Sequence, residues 1–169
     1  MATSPNVLNY FVGKGTLSFT KTGGSPRDLG NAPEVEITPE IEKLDHFSSR
    51  AGVKQKDRSV TLSKTLTIRI VLDEITADNL ALLMLGGDPT SGVFEMFEES
   101  EITGALTFTG TNDIGNQVTV SMPSVSFGPS GSLSLIGDDW GQVEITGEIL
   151  SVESTAGTSF GTITVTDAE

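Results

Sequence analysis

Apolar and polar residues alternate with a period of two through most of the chain, which predicts strands. From Gly15 to Thr22, Leu17 and Phe19 share one face and Ser18 and Thr20 the other, until Gly23-Gly24-Ser25-Pro26 ends the run. Residues 1–13 are mixed in character and read as an N-terminal arm. After a loop through Arg27–Asn31, Val35 to Thr38 reads as a short strand cut by Pro39, and Ile41 to Phe47 is ambiguous. Ser48 to Ser59 holds almost no apolar residue and contains Gly52, so an extended loop is expected over 48–59. Loops of that length inside a domain are usually functional or mobile. Val60 to Leu72 alternates throughout. Val60, Leu62, Leu66, Ile68, Ile70 and Leu72 are expected on one face, broken by Lys64, with Thr61, Ser63, Thr65, Thr67 and Arg69 on the other. A strand that long is expected to bend or to extend beyond its own domain.

Ala77 to Leu85 predicts a helix. Thr76 is placed to cap it, Asp78 suits its positive end, and Gly86-Gly87 stops it. Leu80, Leu83 and Met84 form a stripe that reads as core packing. Strands resume at Ile102–Thr111 and Gln117–Met122 around Asn112-Asp113-Ile114-Gly115-Asn116, a hairpin signal, and Val125 and Phe127 continue past Pro123. Ser132 to Ile136 reads as a short strand and Gly137-Asp138-Asp139 as a turn. Trp140 to Val152 alternates with Val143, Ile145 and Ile149 inward and Glu144, Thr146 and Glu148 outward. Ala156-Gly157 turns the chain into a last strand, Phe160–Val165. Eight or nine strands and one flanking helix, about residues 77–85, predict a mostly β domain, a two-sheet β-sandwich or flattened barrel. The length of 169 residues fits one domain over 1–169.

Composition agrees with β structure: threonine is 21, serine 18 and glycine 19. There is no cysteine and one histidine, His46, which excludes disulfides, thiolate zinc sites and a histidine metal cluster within one chain. The longest apolar run, Leu80–Leu85, is too short to cross a membrane, and the N-terminus lacks the basic start and apolar core of a signal peptide. A soluble protein is expected.

Charge changes the picture more. The net charge is -13, and all ten Lys and Arg lie at or before Arg69. Ten cations against seven acids give the first 69 residues +3, whereas the remaining 100 carry sixteen acids and no Lys or Arg, −16. Arg50, Lys54, Lys56, Arg58, Lys64 and Arg69 meet one acid in that stretch, Asp57. Net charge alone serves solubility. Its segregation suits a head-to-tail contact in which the basic surface of one copy meets the acidic surface of the next. Nucleic-acid binding by this stretch is disfavoured, because no aromatics interleave with the cations.

Motifs for chemistry are missing or broken. Asp45, Ser48 and Ser49 lie near His46, but adjacency does not make a triad and there is no Gly-x-Ser-x-Gly elbow; His46 reads as a polar loop anchor. Val12-Gly13-Lys14-Gly15-Thr16 departs from a phosphate loop at Leu8 and at Gly15. Glu98-Glu99-Ser100-Glu101 and Asp138-Asp139 lack the ligand spacing of a calcium loop and read as solvated acidic turns. Neither a carboxylate pair nor Trp140 identifies a glycosidase. No catalytic residue, metal ligand or cofactor is assigned. A monomeric binding module, carbohydrate-binding or adhesin-like, with a small-ligand site near Trp140 is the alternative to self-assembly.

These residues together resemble the tail tube (major tail) proteins of long-tailed, non-contractile bacteriophages. The resemblance runs through Tyr10 with Gly13-Lys14-Gly15, Leu29-Gly30-Asn31-Ala32-Pro33-Glu34, Leu44-Asp45-His46-Phe47-Ser48-Ser49, Gly52 and Lys56-Asp57. It continues through Leu72-Asp73-Glu74-Ile75-Thr76, Asn79-Leu80, the Trp140 strand and Phe160-Gly161, and is densest over 29–86. It implies a β-sandwich with a flanking helix, related in fold to type VI secretion tube proteins. It further implies hexameric rings stacked head to tail into a hollow tube, without catalysis. The implied partners are other copies of the chain, a tape measure protein, tail tip and terminator proteins, and DNA in transient, non-specific passage. No membrane is involved, and the place is the virion tail, assembled in the host cytoplasm. On this resemblance the polar loop is an inter-subunit contact, with His46, Phe47, Arg50, Lys54, Lys56, Asp57 and Arg58 as contact residues. Glu144, Thr146 and Glu148 are lumen candidates, because they alternate with core Val143 and Ile145 and because carboxylates repel phosphate where Lys and Arg would hold it.

Overall fold

The computed structural model describes residues 9–50, 52–154 and 157–166. It contains β1 (Gly15–Lys21), β2 (Arg27–Asp28), β3 (Glu34–Ser48), β4 (Gln55–Leu72), α1 (Ala77–Leu83), β5 (Ile102–Gly110), β6 (Gln117–Phe127), β7 (Val143–Ile149), β8 (Val152–Ser154), β9 (Gly157–Ser159) and β10 (Thr162–Thr166). The domain is mostly β, a β-sandwich with one helix, and its strands pair antiparallel throughout.

Seven strands follow the order β2-β1-β5-β6-β7-β4-β3, and β10 joins at β6. β6 is where the sheet folds over. Its first half pairs with β10 over Gln117–Ser121, and only Val125–Phe127, beyond Pro123, pair with β7. The two flanks close on one core. β1, β5 and β6 supply Leu17, Phe19, Ile102, Leu106, Met122 and Phe127; β4 and β7 supply Ile68, Ile70, Leu72, Val143, Ile145 and Ile149. The turn between β5 and β6 is organised by buried Asn112, whose amide donates to the carbonyls of Ile114, Gly115 and Asn116. Gly115 takes the positive φ (84°) that the turn requires.

α1 closes the core. Thr76 caps it, its hydroxyl accepting the Asn79 amide N–H at 3.2 Å. The helix ends at Leu83, two residues short of expectation. Its buried residues are Asn79, Ala81, Leu82 and Leu83, with Leu80 and Met84 only partly buried. Asn79 is 1% exposed. Its Oδ1 accepts from Arg27 at 2.8 Å and its Nδ2 donates to the Leu29 and Glu74 carbonyls at 2.9 and 3.0 Å. Asn79→Leu keeps the branched outline of the side chain but strands these partners. We expect a loss on the order of 2–3 kcal/mol, measured by urea unfolding.

Several expectations are corrected. Arg27–Asp28 is a short strand on β1, not loop. Pro39 does not cut β3, because β3 is an edge strand and the missing N–H is needed by no neighbour. Ser132–Ile136 forms no strand, and the alternation from Trp140 is strand only from Val143 to Ile149. The expected loop 48–59 is the end of a hairpin: β3 runs to Ser48 and β4 starts at Gln55, leaving only six positions between the two strands. Of the expected N-terminal arm, residues 1–8 lie outside the described residues, and 9–13 are exposed and form no strand. Ala156, expected in a turn, also lies outside them.

Candidate functional site

The most distinctive feature is the β3–β4 hairpin. β4 pairs with β7 only from Leu66 to Leu72, so the hairpin projects as a two-stranded arm from Thr65 to the tip. Among the described residues no strand pairs with the outer edge of β3. Register governs what the arm presents. Up to Ile41↔Lys64 the even residues of β4 continue the core face. A bulge then follows, between Glu42↔Ser63 and Lys43↔Thr61, leaving Leu62 as the extra residue. Parity is reversed beyond it, so Val60 lies beside Leu44 on the opposite face from Ile68 and Ile70. The single stripe expected from Val60 to Leu72 is therefore split. Val60 is 47% and Leu62 55% exposed, and Ile41, Leu44, Phe47 and Val53 are also in solvent.

The seven expected contact residues all fall on the outer part of this arm, in two groups. His46, Lys56 and Asp57 have partners within the arm. His46 Nδ1 is 2.6 Å from Asp57 Oδ1, and Lys56 Nζ is 2.7 Å from Asp45 Oδ1. Lys56, then the Ser59 hydroxyl, hold the Asp45 carboxyl below its ordinary value. Phe47 sits opposite Lys56, half exposed. Arg50, Lys54 and Arg58 make no ion pair among the described residues and are exposed. The free cations of the tip are thus these three.

The second feature is the polar face of the sheet. Thr38, Thr67, Glu148, Ser126 and Thr103 form one cross-strand row over β3, β4, β7, β6 and β5, with Glu36, Arg69 and Thr146 in the adjacent row. Glu144, Thr146 and Glu148 all lie on this face. Glu148 is exposed, whereas Thr146 is half-buried and its N–H donates to Ser130 Oγ at 2.7 Å.

Sequence reasoning missed the cluster around Arg69. Its guanidinium holds Glu144 at 2.8 Å, Glu34 at 2.9 Å and Glu36 at 3.4 Å, beside a cleft of about 470 Å³. The signal was present in the strand parity, since Glu34, Glu36 and Arg69 all sit opposite the core positions. The hydrogen bonds to Glu144 and then Glu34 raise the Arg69 pKa, and Arg69 lowers that of Glu144 from its ordinary 4.5. A depressed carboxylate stabilises the fold above its unfolded pKa, and this contribution is lost as pH falls through the folded value. Arg69→Gln should therefore lower the thermal midpoint near neutral pH. The gap to wild type should shrink as pH falls below about 4.5, checked by thermal melts over that range.

A family model described as "protein of unknown function UCP028589" matches residues 10–92 and 88–164. No curated protein matches the chain.

Proposed function

Since the chain belongs to the family described as protein of unknown function UCP028589, a description that names no activity, we propose a function from its own residues: it is a self-assembling subunit of a bacteriophage tail tube. The observation that carries this reading is the arm. A domain that had only to fold would not hold a two-stranded hairpin away from its core with Ile41, Leu44, Phe47, Val60 and Leu62 in water. Exposed apolar surface of this kind marks an interaction site. The open edge of a fifteen-residue strand adds unpaired backbone groups that favour association.

In this reading hexameric rings stack head to tail through the arm, and the tube passes viral DNA. Glu144, Thr146 and Glu148 face the lumen on a sheet face of hydroxyls and carboxylates. Arg69 on that face is engaged by three carboxylates, so it offers phosphate no free cation. Six copies at -13 each bring −78 to a ring. Screening of this repulsion by salt therefore bears on assembly.

Negative-stain electron microscopy of the concentrated protein, at low and moderate salt and then with tail tips added, tests the reading. Rings or hollow tubes are expected. Persistent monomers under all these conditions would overturn it in favour of a monomeric binding module. Cryo-EM placing Glu144 and Glu148 on the outside of the tube would overturn the lumen assignment alone.

A further inference from the structure

The arm leaves open what its tip lands on, and the register supplies a candidate. Leu72, the last residue of β4, faces Val143, the first residue of β7. The segment leading into Val143 therefore sits at the end of β4 remote from the tip. Gln55 and Leu72 are seventeen positions apart in one strand, about 55 Å at ~3.3 Å per residue.

That remote segment exposes three large apolar residues: Leu135 is 84%, Ile136 94% and Trp140 94% exposed. Asp138 and Asp139 lie between them in sequence, and among the described residues neither makes an ion pair. No Lys or Arg follows Arg69. The tip carries the complement: apolar Phe47 and Val53 among the cations Arg50, Lys54 and Arg58. Each surface is apolar and carries a net charge, the tip positive and the remote segment negative. Their separation prevents them from meeting within one copy. They meet when a second copy is displaced along the axis of β4, a heterologous contact that leaves a free tip and a free acceptor at the two ends.

We propose that Leu135–Trp140 is the acceptor for the β3–β4 tip of a second copy of this chain. Asp138 and Asp139 pair with Arg50 and Lys54, and Leu135, Ile136 and Trp140 cover the apolar residues of the tip. Arg58 or Arg50 stacked on the Trp140 ring would add a cation–π contact. The segment around Val93–Phe97 is also apolar and acidic, but acids flanking it are already engaged, with Asp88 and Glu99 held by Lys21 at 2.8 and 3.9 Å. The proposal rests on the tube reading and adds the surface on which the arm docks.

A charge swap tests it. Asp138→Lys with Asp139→Lys places cations at both ends of the contact, and pelletable assemblies should fall at least tenfold while circular dichroism stays that of the wild type. Adding Arg50→Glu and Lys54→Glu in the same chain reverses both partners and should restore assembly. Glu95→Lys with Glu98→Lys should assemble as the wild type does. Wild-type yield from the Asp138/Asp139 variant, failure of the four-substitution chain to recover, or loss of assembly confined to the Glu95/Glu98 variant would each overturn the acceptor and leave the tube reading standing. A wild-type chain that stays monomeric even with tail tips would overturn both.

Discussion

Reversing Arg50 and Lys54 to Glu should leave a folded monomer that forms no tubes. Both side chains sit in the exposed turn of the arm and make no ion pair among the described residues, so the fold loses nothing it uses. Surface substitutions of this kind change stability by about 0.5 kcal/mol or less. The tip, residues 50–58, goes from four cations and one acid, +3, to two cations and three acids, −1, and the chain from -13 to −17. In the proposed tube the attractive contact with an acidic neighbour would become repulsive, once for each of the six subunits of a proposed ring. The expected result is an unchanged melting temperature with loss of all material sedimenting faster than the monomer, read by differential scanning fluorimetry beside analytical ultracentrifugation. Tubes of normal yield from this variant would remove the arm from the assembly contact. Lys56→Glu is a poorer probe, because Lys56 also stabilises the arm through Asp45.

Phe127→Ala should act in the opposite way, by weakening the fold itself. Phe127 is fully buried and meets Phe19 edge to face with ring centroids 5.3 Å apart. It stands where the two flanks of the sandwich join, paired to Ile102 on one side and Gly147 on the other. Gly147 is the counterpart of the ring. A Cβ there would lie 2.8 Å from Phe127 Cδ1 and 2.9 Å from Val125 Cγ1, so the position next to the ring accommodates only hydrogen. Truncation leaves a cavity at this junction and should cost about 3–5 kcal/mol, a drop in melting temperature of roughly 6–20 °C for a domain of this size. Urea unfolding checks it, and a loss below about 1 kcal/mol would mean that the core collapses around the gap. Any loss of tubes in this variant follows from loss of the folded subunit, which separates it from the arm variant.

The strands that line the core were legible because burial imposes a period. β1, the β5–β6 hairpin, the Thr76 cap and the inward set Val143, Ile145 and Ile149 follow from alternation and turn chemistry. The arm was not. A hairpin held away from the core has no inner face to enforce a pattern, so Gln55–Ser59 looks like loop although it is strand. The bulge near Leu62 reverses parity without a local sequence mark, which sent Val60 to the wrong face. Arg69 was visible as one polar residue of a strand, but its three carboxylates come from two other strands, and only the sheet order makes them one group. The seven residues expected at a contact were named through composition and resemblance. That three are free and three engaged within the arm depends on register alone.

The arm also has a mechanical meaning. Beyond its last anchored pair, Leu66 with Ile149, it runs eleven residues to Gln55, about 36 Å at ~3.3 Å per residue. It is a lever clamped at one end. A tilt of about 5° at the clamp moves the tip by roughly 3 Å over that length, comparable to the spacing between residues along a strand. The bulges at Glu42/Lys43 and His46/Phe47 interrupt the ladder twice along this span and supply points at which it can bend. In the proposed tube, small rotations of a subunit would thereby become large displacements at the neighbour its arm touches, and the arm would take up curvature while the core stays rigid.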